Sequence, residues 1–343
     1  MFEHVAGKRL TPTSGTGGLP RVSVVIPCLN RAHFLVPTIE SVLQQDYPRI
    51  ECIVVDGGST DETLGILRGY GGRIQWLSEP DGGPPDAINK GWRMCSGEIL
   101  AWLNADDMWA PGAVSKAVAY FQNHAEVDVV YGDCGIIDQA GNLVKTVRVR
   151  EWDLEYAVKH CDHIIYQAAS FMRRSILQRV GWLYPKLCHD HELWLRISLA
   201  GGNLQHLPFH LADARDHQGN LGSRSDIVVP LKLDLTRSFF ARPNLLLHLS
   251  GLRDRAMSNS YLRGIDYILG DRLSWHQYWP RIFRLTWQAI WADPSNLVRI
   301  LKRFLEAPLV VFLRTIRPYL PKWLLRALLA WKQRLHDNPS DGN

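Results

Sequence analysis

The sequence predicts an α/β fold, a mostly parallel sheet flanked by helices, with a helical C-terminal extension. Three observations carry that prediction. Short β-branched runs alternate with helix-period segments through the first hundred residues, Gly, Pro, Asn or Asp punctuate the runs, and beyond about residue 228 helical patterning takes over. In chain order, "RVSVVIPCLN" (21–30) reads as a buried strand stopped by Pro27 and Asn30. "LVPTIESVLQQDY" places Ile39, Val42 and Leu43 on one helix face, and "IECIVVDGGSTDETLGILRGY" reads as a second strand, a Gly/Ser/Asp loop and a helix starting near Ser59 or Thr60. "RIQWLSEP" is a short strand, "DAINKGWRMC" a helix and "EILAWLNADD" a further strand. "DVVYGDCGIID" and "NLVKTVRVR" follow as strands joined through the turn-like "QAGN". "IIYQAASFMRR" is strand-like, and "RSILQRVG" and "HELWLRISLAG" are helical.

The 343 residues, 46% hydrophobic and 21% charged, have the composition of a globular chain long enough to bury a sizeable core. Residues 1–20 end in "TPTSGTGGLP" and read as a flexible leader, 21–228 as the α/β body, and 229–343 as a helical, basic, amphipathic C-terminal region. The net charge of +5 is unevenly spread, since Arg281 to Arg334 holds 11 of the 39 Lys and Arg but only Asp293 and Glu306 of the 34 acids. Six scattered cysteines form neither a zinc motif nor a disulfide framework, which suits a reducing compartment. The amino terminus lacks a signal-peptide pattern, and the apolar run "APLVVFL" near the tail is far short of the roughly 20 residues that cross a bilayer. The expectation is a cytoplasmic protein, peripheral at the inner face of a membrane where the C-terminal region reaches one.

In a parallel sheet, ligands bind outside the carboxyl ends of the strands. Here four strands deliver polar residues to that edge: Pro27 and Asn30, then Asp56, then Glu79 and Asp81, then Asn104 to Asp107. The last group raises a question, because "ILAWLNADDMWAP" ends a good apolar strand on two adjacent carboxylates whose mutual repulsion burial would worsen. A strand-end turn accounts for an Asn or an Asp on its own. Four such strand ends on one rim point to a binding site.

"VSVVIPCLNR", "VDGGSTDET", "EPDGGPPDAINKG", "GEILAWLNADD", "AASFMRRSIL" and "HDHELWLR" occur in that order, and over about residues 21–220 the chain resembles the family 2 glycosyltransferases. The resemblance implies the GT-A nucleotide-diphospho-sugar transferase fold for 21–228. It implies transfer of a sugar from a nucleotide-diphosphate sugar to a hydroxyl of a glycan or lipid-linked acceptor, with inversion. By the same resemblance Pro27, Asn30 and Asp56 contact the nucleoside, and Asp86, Asn89 and Lys90 continue the donor contacts. Asn104 and Ala105 line the donor, Asp106 holds a divalent cation, Mn²⁺ or Mg²⁺, and Asp190 is the catalytic base. Asn104 departs from the family's first acid and adds no charge.

Arg215 and His217, with Arg224 as a weaker candidate, fall where the family lays a loop over the donor diphosphate, and His217 can also bind the metal. Asp86 also suits a helix N-cap, and Glu192 with Arg196 also suits an ordinary i,i+4 ion pair. Arg299, Lys302 and Arg303 beside Leu297, Ile300, Leu301 and Phe304, with Trp323 and Trp331 further on, suit either an anionic membrane surface or packing on the body. No nucleic-acid motif accompanies the basic tail. A sugar-nucleotide nucleotidyltransferase is the rival enzyme, disfavoured by the missing Gly-rich basic first loop, and a catalytically silent sugar-nucleotide or membrane-binding module is the non-enzymatic rival.

Overall fold

The computed structural model describes residues 18–160, 164–184, 189–217, 220, 224–243, 245–270 and 279–296. Residues 1–17 of the expected leader, the stripe from Leu297 onward and both Trp323 and Trp331 lie outside the described residues.

The first half alternates β1 (Val22–Cys28), α1 (Ala32–Leu43), β2 (Ile50–Asp56), α2 (Thr63–Gly69), β3 (Gln75–Ser78), α3 (Pro84–Met94) and β4 (Ile99–Trp102). These strands pair in parallel in the order β3-β2-β1-β4, with Val22 level with both Ile50 and Ile99. Beyond them come β5 (Met108–Trp109), α4 (Ala113–Asn123), β6 (Val129–Ile137), β7 (Leu143–Val147), α5 (Leu154–His160), β8 (Ser170–Arg173), α6 (Arg174–Val180), α7 (His189–Leu199) and β9 (Leu204–Arg215). The sheet continues β4-β8-β6-β9-β5, and here it is mixed: β6 and β9 are parallel, while β8 is antiparallel to both its neighbours and β5 to β9.

Alternation along β1 explains the layers. Val22, Val24 and Ile26 face one side, where they join Leu35, Ile39 and Val42 of α1 and Val114 and Val118 of α4. Val25 faces the other side, with Ile88 and Trp92 of α3 and Leu193 and Trp194 of α7. A strand covered on both faces is largely apolar, which is why "VSVVIPC" lacks a polar alternation, and its one buried hydroxyl, Ser23, is hydrogen bonded to Glu51 and to Gly97 N–H. Trp92 meets Trp102 edge-on at 5.4 Å and Trp102 stacks with Trp194 at 5.8 Å, so three indoles tie α3, β4 and α7 together.

Two boundaries differ from the sequence expectation for identifiable reasons. α2 begins at Thr63, not at Ser59 or Thr60, because Ser59 and Thr60 spend their N–H groups on Asp56 and Asn30. Arg215, expected in a loop, instead ends β9, whose Pro208 and shifts of register against β6 obscure its strand pattern.

The C-terminal helices are α8 (Ser225–Phe240), α9 (Leu247–Ser250), α10 (Arg253–Gly270) and α11 (Trp279–Ala292). α8 runs across the expected boundary at 228, and its Leu235 and Phe239 share a core with α5 and α7. Its Val229 and Leu233 open a third core with Leu262 and Ile265 of α10 and Ile282, Leu285 and Ala289 of α11. No helix among the described residues is long and apolar enough to cross a membrane. Cys28, Cys52, Cys95 and Cys134 are free and buried, and burial pushes the Cys52 thiol up to about 12, which favours the protonated thiol.

Gly91 lets α3 lie directly on β1, since a Cβ there would sit 2.4 Å from Cγ1 of the buried Val25. Gly91→Ala is expected to lower the free energy of unfolding by about 1–3 kcal/mol through overpacking, measured by urea denaturation. An unchanged midpoint would show that the helix can shift at no cost.

Candidate active site

The loop after β1 and the loop after β2 are built as one unit. Asn30 adopts a left-handed backbone (φ 52°), a conformation Asn tolerates better than most side chains. Its N–H donates to Ser59 Oγ at 2.7 Å, and its Oδ1 accepts from Thr60 N–H at 2.8 Å. Asp56 is fully buried beneath this loop, accepting from the N–H groups of Gly58 (3.2 Å) and Ser59 (3.1 Å) and from the hydroxyls of Ser59 and Ser78 (2.7 Å to the latter). These donors replace the water that a buried carboxylate loses. In this arrangement Asp56 acts on the rim through the loop it shapes. Pro27 lies in β1 beside Val55 of β2.

At the start of α3, Asp86 accepts from Gly82 N–H at 3.0 Å, and Gly83, not Asp86, is the N-cap residue. The Gly82 N–H and then the Lys90 ammonium hold the Asp86 carboxyl below its usual range. Lys90 reaches Glu79 at 2.9 Å and Asp86 at 3.5 Å, and the Glu79 carboxylate raises its pKa. Asn89 stands apart from this group. Its amide is buried and spends Nδ2 and Oδ1 on the C=O and N–H of Leu183, 2.9 and 3.0 Å away, because an amide in the core must satisfy both ends. Asn89, expected among the donor contacts, here forms a tie between α3 and the segment after α6.

The turn after β4 separates its two carboxylates. Asp107 points inward, accepting from the N–H of Arg215 (2.9 Å), Asn104 Nδ2 (3.0 Å) and Gln167 Nε2 (3.5 Å). Burial, and then the neighbouring Asp106 charge, push the Asp107 carboxyl upward. Asp106 points the other way, to His217 Nε2 at 3.0 Å and Arg31 Nε at 3.7 Å. α1 supports the turn from below: Thr38 Oγ1 lies 3.0 Å from the carbonyl of Ala105 and 2.8 Å from that of Asp107. Phe34 packs its ring 4.8 Å from that of His217.

Arg215, expected over the donor diphosphate, is buried beside the acidic turn. Its buried guanidinium donates to the carbonyls of Asp106 (2.8 Å), Asp138 (3.0 Å) and Gln139 (3.1 Å) and lies over Phe34. It clamps the acidic turn to the end of β9 instead of reaching out to phosphate. Arg224 is exposed and paired with Asp226 at 2.7 Å.

Asp190 stands partly buried in the first turn of α7, with Oδ1 accepting from His191 N–H at 2.8 Å. That helix is anchored by Glu192, which is wholly buried and pairs with Arg196 at 2.9 Å and Arg242 at 3.0 Å. The ordinary ion-pair reading of Glu192 and Arg196 fits this geometry. Sequence reasoning missed Arg31, Gln167 and Thr38. Arg31 directly follows Asn30 and could have been marked by that adjacency, whereas nothing local marks the other two.

Among the described residues no group of three His, Cys, Asp or Glu gathers as a ready-made metal site. The donor set at Asp106 and His217 nevertheless fits a divalent cation that takes its remaining ligands from phosphate and water, since one carboxylate oxygen and one imidazole nitrogen already meet there.

Residues 23–181 match the model of Glycosyl transferase family 2. Over 188 residues the chain is 32% identical to an uncharacterized glycosyltransferase of Rickettsia prowazekii, covering 52% of this chain and 58% of that one. It spans 58% or less of the length of the first five curated relatives it matches. The fold is similar to that of S. aureus TarS 1–349 in complex with UDP-GlcNAc, with a TM-score of 0.60 at 18% identity over 82% of this chain and 83% of that one. It is also similar to the mannosyltransferase PcManGT of Pyrobaculum calidifontis in complex with GDP-Man and Mn²⁺, with a TM-score of 0.58 at 17% identity over 92% and 83% of the two chains. The fold is that of a GT-A glycosyltransferase. In this GT-A domain the rim described above is the carboxyl edge of β1, β2 and β4, joined by the end of β9.

Arg215→Ala is expected to destabilise the GT-A domain by at least about 2 kcal/mol in urea denaturation, because it strips hydrogen bonds from buried carbonyls beside Asp107, and Arg215→Lys should restore only part of this. A residue that served phosphate alone would leave stability unchanged when removed.

Proposed function

We propose that the protein transfers a sugar from a nucleoside-diphosphate sugar to an acceptor hydroxyl with inversion, in the assembly of a surface glycan or lipid-linked oligosaccharide. The observation that carries the reading is the divergence of Asp106 from Asp107, which leaves one carboxylate at the rim facing His217 and Arg31, beside the Asn30–Ser59 loop. The match of residues 23–181 to the family model supports it, as do the nucleotide sugars named for TarS and PcManGT.

In this reading Pro27, Asn30 and the loop organised by Asp56 cradle the nucleoside, and Asp86 and Lys90 border it. Asn104 and Ala105 line the donor, and Arg31 and Lys90 bring positive charge toward the diphosphate. Asp106 and His217 would hold a divalent cation, Mn²⁺ or Mg²⁺, which when bound offsets the charge of the leaving diphosphate. Asp190 accepts the proton of the acceptor hydroxyl. The acceptor oxygen forms its bond to the anomeric carbon on the face opposite the diphosphate, the sugar–phosphate C–O bond breaks, and its electron pair leaves with the nucleoside diphosphate. One displacement inverts the anomeric centre, and the proton resides on Asp190 until it passes to solvent.

The test is a panel of UDP- and GDP-sugars with and without Mn²⁺, followed by turnover and by NMR of the product anomer. Asp190→Asn should reduce turnover by about 10²- to 10⁴-fold with donor affinity retained, since it deletes a base without changing volume. Asp106→Ala should abolish the Mn²⁺ dependence of donor binding measured by calorimetry. Wild-type turnover in the first variant removes Asp190 as the base, and an Asp106→Ala protein whose donor binding still responds to Mn²⁺ removes the cation assignment.

A further inference from the structure

α11 has two unlike apolar faces. Ile282, Leu285 and Ala289 turn inward to Val229 of α8 and Leu262 and Ile265 of α10. Phe283, Trp287 and Trp291, spaced four apart, turn outward and are 55%, 56% and 73% exposed. A residue every fourth position makes one stripe on a helix, and Trp287 and Trp291 touch edge-to-face along it, with centroids 6.3 Å apart. Isolated exposed apolar side chains are common, but three large aromatics in line form a patch, which marks a contact surface.

The chemistry of the stripe identifies what it meets. Aliphatic side chains make the protein-facing side of α11, and the large exposed apolar side chains of the other side are all aromatic. Trp and Phe suit a bilayer's headgroup zone, where a flat ring with a polar edge is wet on one side and apolar on the other. α11 carries Arg281 and Arg284 and no acid, with Arg284 exposed beside the stripe. Residues 297–343, which follow directly, add nine Lys and Arg against three acids. That balance matches an anionic surface. A helix with one face packed on protein and an aromatic, basic outer face suits a surface contact.

We propose that the outer face of α11 docks the protein on anionic lipid bilayers, with Phe283, Trp287 and Trp291 seated among the headgroups and the exposed Arg284 paired with lipid phosphate. The face is remote in sequence from the donor-binding residues, so the proposal stands whatever the donor and acceptor prove to be. For a lipid-linked acceptor, it would bring enzyme and substrate to one plane.

The experiment is flotation of the full chain with phosphatidylglycerol-containing vesicles and with pure phosphatidylcholine vesicles, at low and high salt. The wild-type chain should float with the anionic vesicles and less so in high salt, as screening weakens the attraction. Phe283→Ser, Trp287→Ser and Trp291→Ser combined should weaken that binding at least about tenfold, because three aromatic rings no longer insert. Melting temperature and nucleotide-sugar binding should not change. Arg284→Glu should weaken binding mainly at low salt. Trp291→Phe should keep binding while losing part of the fluorescence quenched by brominated lipid. The proposal fails if the wild type ignores anionic vesicles at low salt, or if the triple variant binds them as well as wild type. It also fails if the triple variant melts several degrees lower or if a wild-type dimer becomes monomeric, since the face would then be covered by protein: residues 297–343 or a second copy.

Discussion

Everything at the rim depends on the burial of Asp107. Two adjacent carboxylates repel, and a turn that exposed both equally would have no reason to hold one geometry. Here Asp107 is turned inward and accepts the N–H of Arg215, two residues before His217 in the chain. That bond fixes the end of β9 against the end of β4, strands that are not neighbours in the sheet. Asp106 turns away from Asp107, and His217 and Arg31 meet it on that side. The cost of burying Asp107, visible in its raised pKa, is a cost of assembling the site.

α1 serves the same purpose from beneath. Phe34 contacts both the Arg215 guanidinium and the His217 ring, and one turn later Thr38 sits under the carbonyls of Ala105 and Asp107. Both side chains lie on the face of α1 that carries Leu35, Ile39 and Val42 into the core. The helix that covers β1 therefore also levels the acidic turn, and core packing and site geometry cannot vary independently.

How much of this the sequence discloses depends on whether the signal is local. β1, β2 and β4 are apolar runs ended by polar residues, so the strands and the rim they feed can be read directly. The pair Asp106–Asp107 is equally conspicuous, but its two roles are not, because the partner that distinguishes them is a main-chain N–H more than a hundred residues away. Arg215 resembles a phosphate-binding arginine until its three carbonyl acceptors are seen, and Asn89 resembles a polar contact until Leu183 is found against it. β9 was hidden by Pro208 and by its irregular register, and the start of α2 by a loop whose N–H groups serve Asp56 and Asn30 first. For Asp107, Arg215 and Asn89 the deciding partner is a hydrogen bond distant in sequence, which no local pattern marks.

The same reasoning changes the status of the C-terminal helices. A mere extension would leave α7 complete without it, yet Arg242, just past α8, reaches the wholly buried carboxylate of Glu192, which Arg196 also holds. A buried carboxylate is tolerable only when paired, and losing one partner of such a cluster typically costs several kcal/mol. Glu192 lies two residues from Asp190 in the same helix, and Leu235 and Phe239 of α8 pack in the core that contains Leu193, Trp194 and Leu195. α8 is therefore part of the support for the helix that carries Asp190. α11 belongs to this assembly too, through Ile282 and Leu285 against α8 and α10, so a surface seated on its outer face would be linked to the GT-A domain by continuous packing.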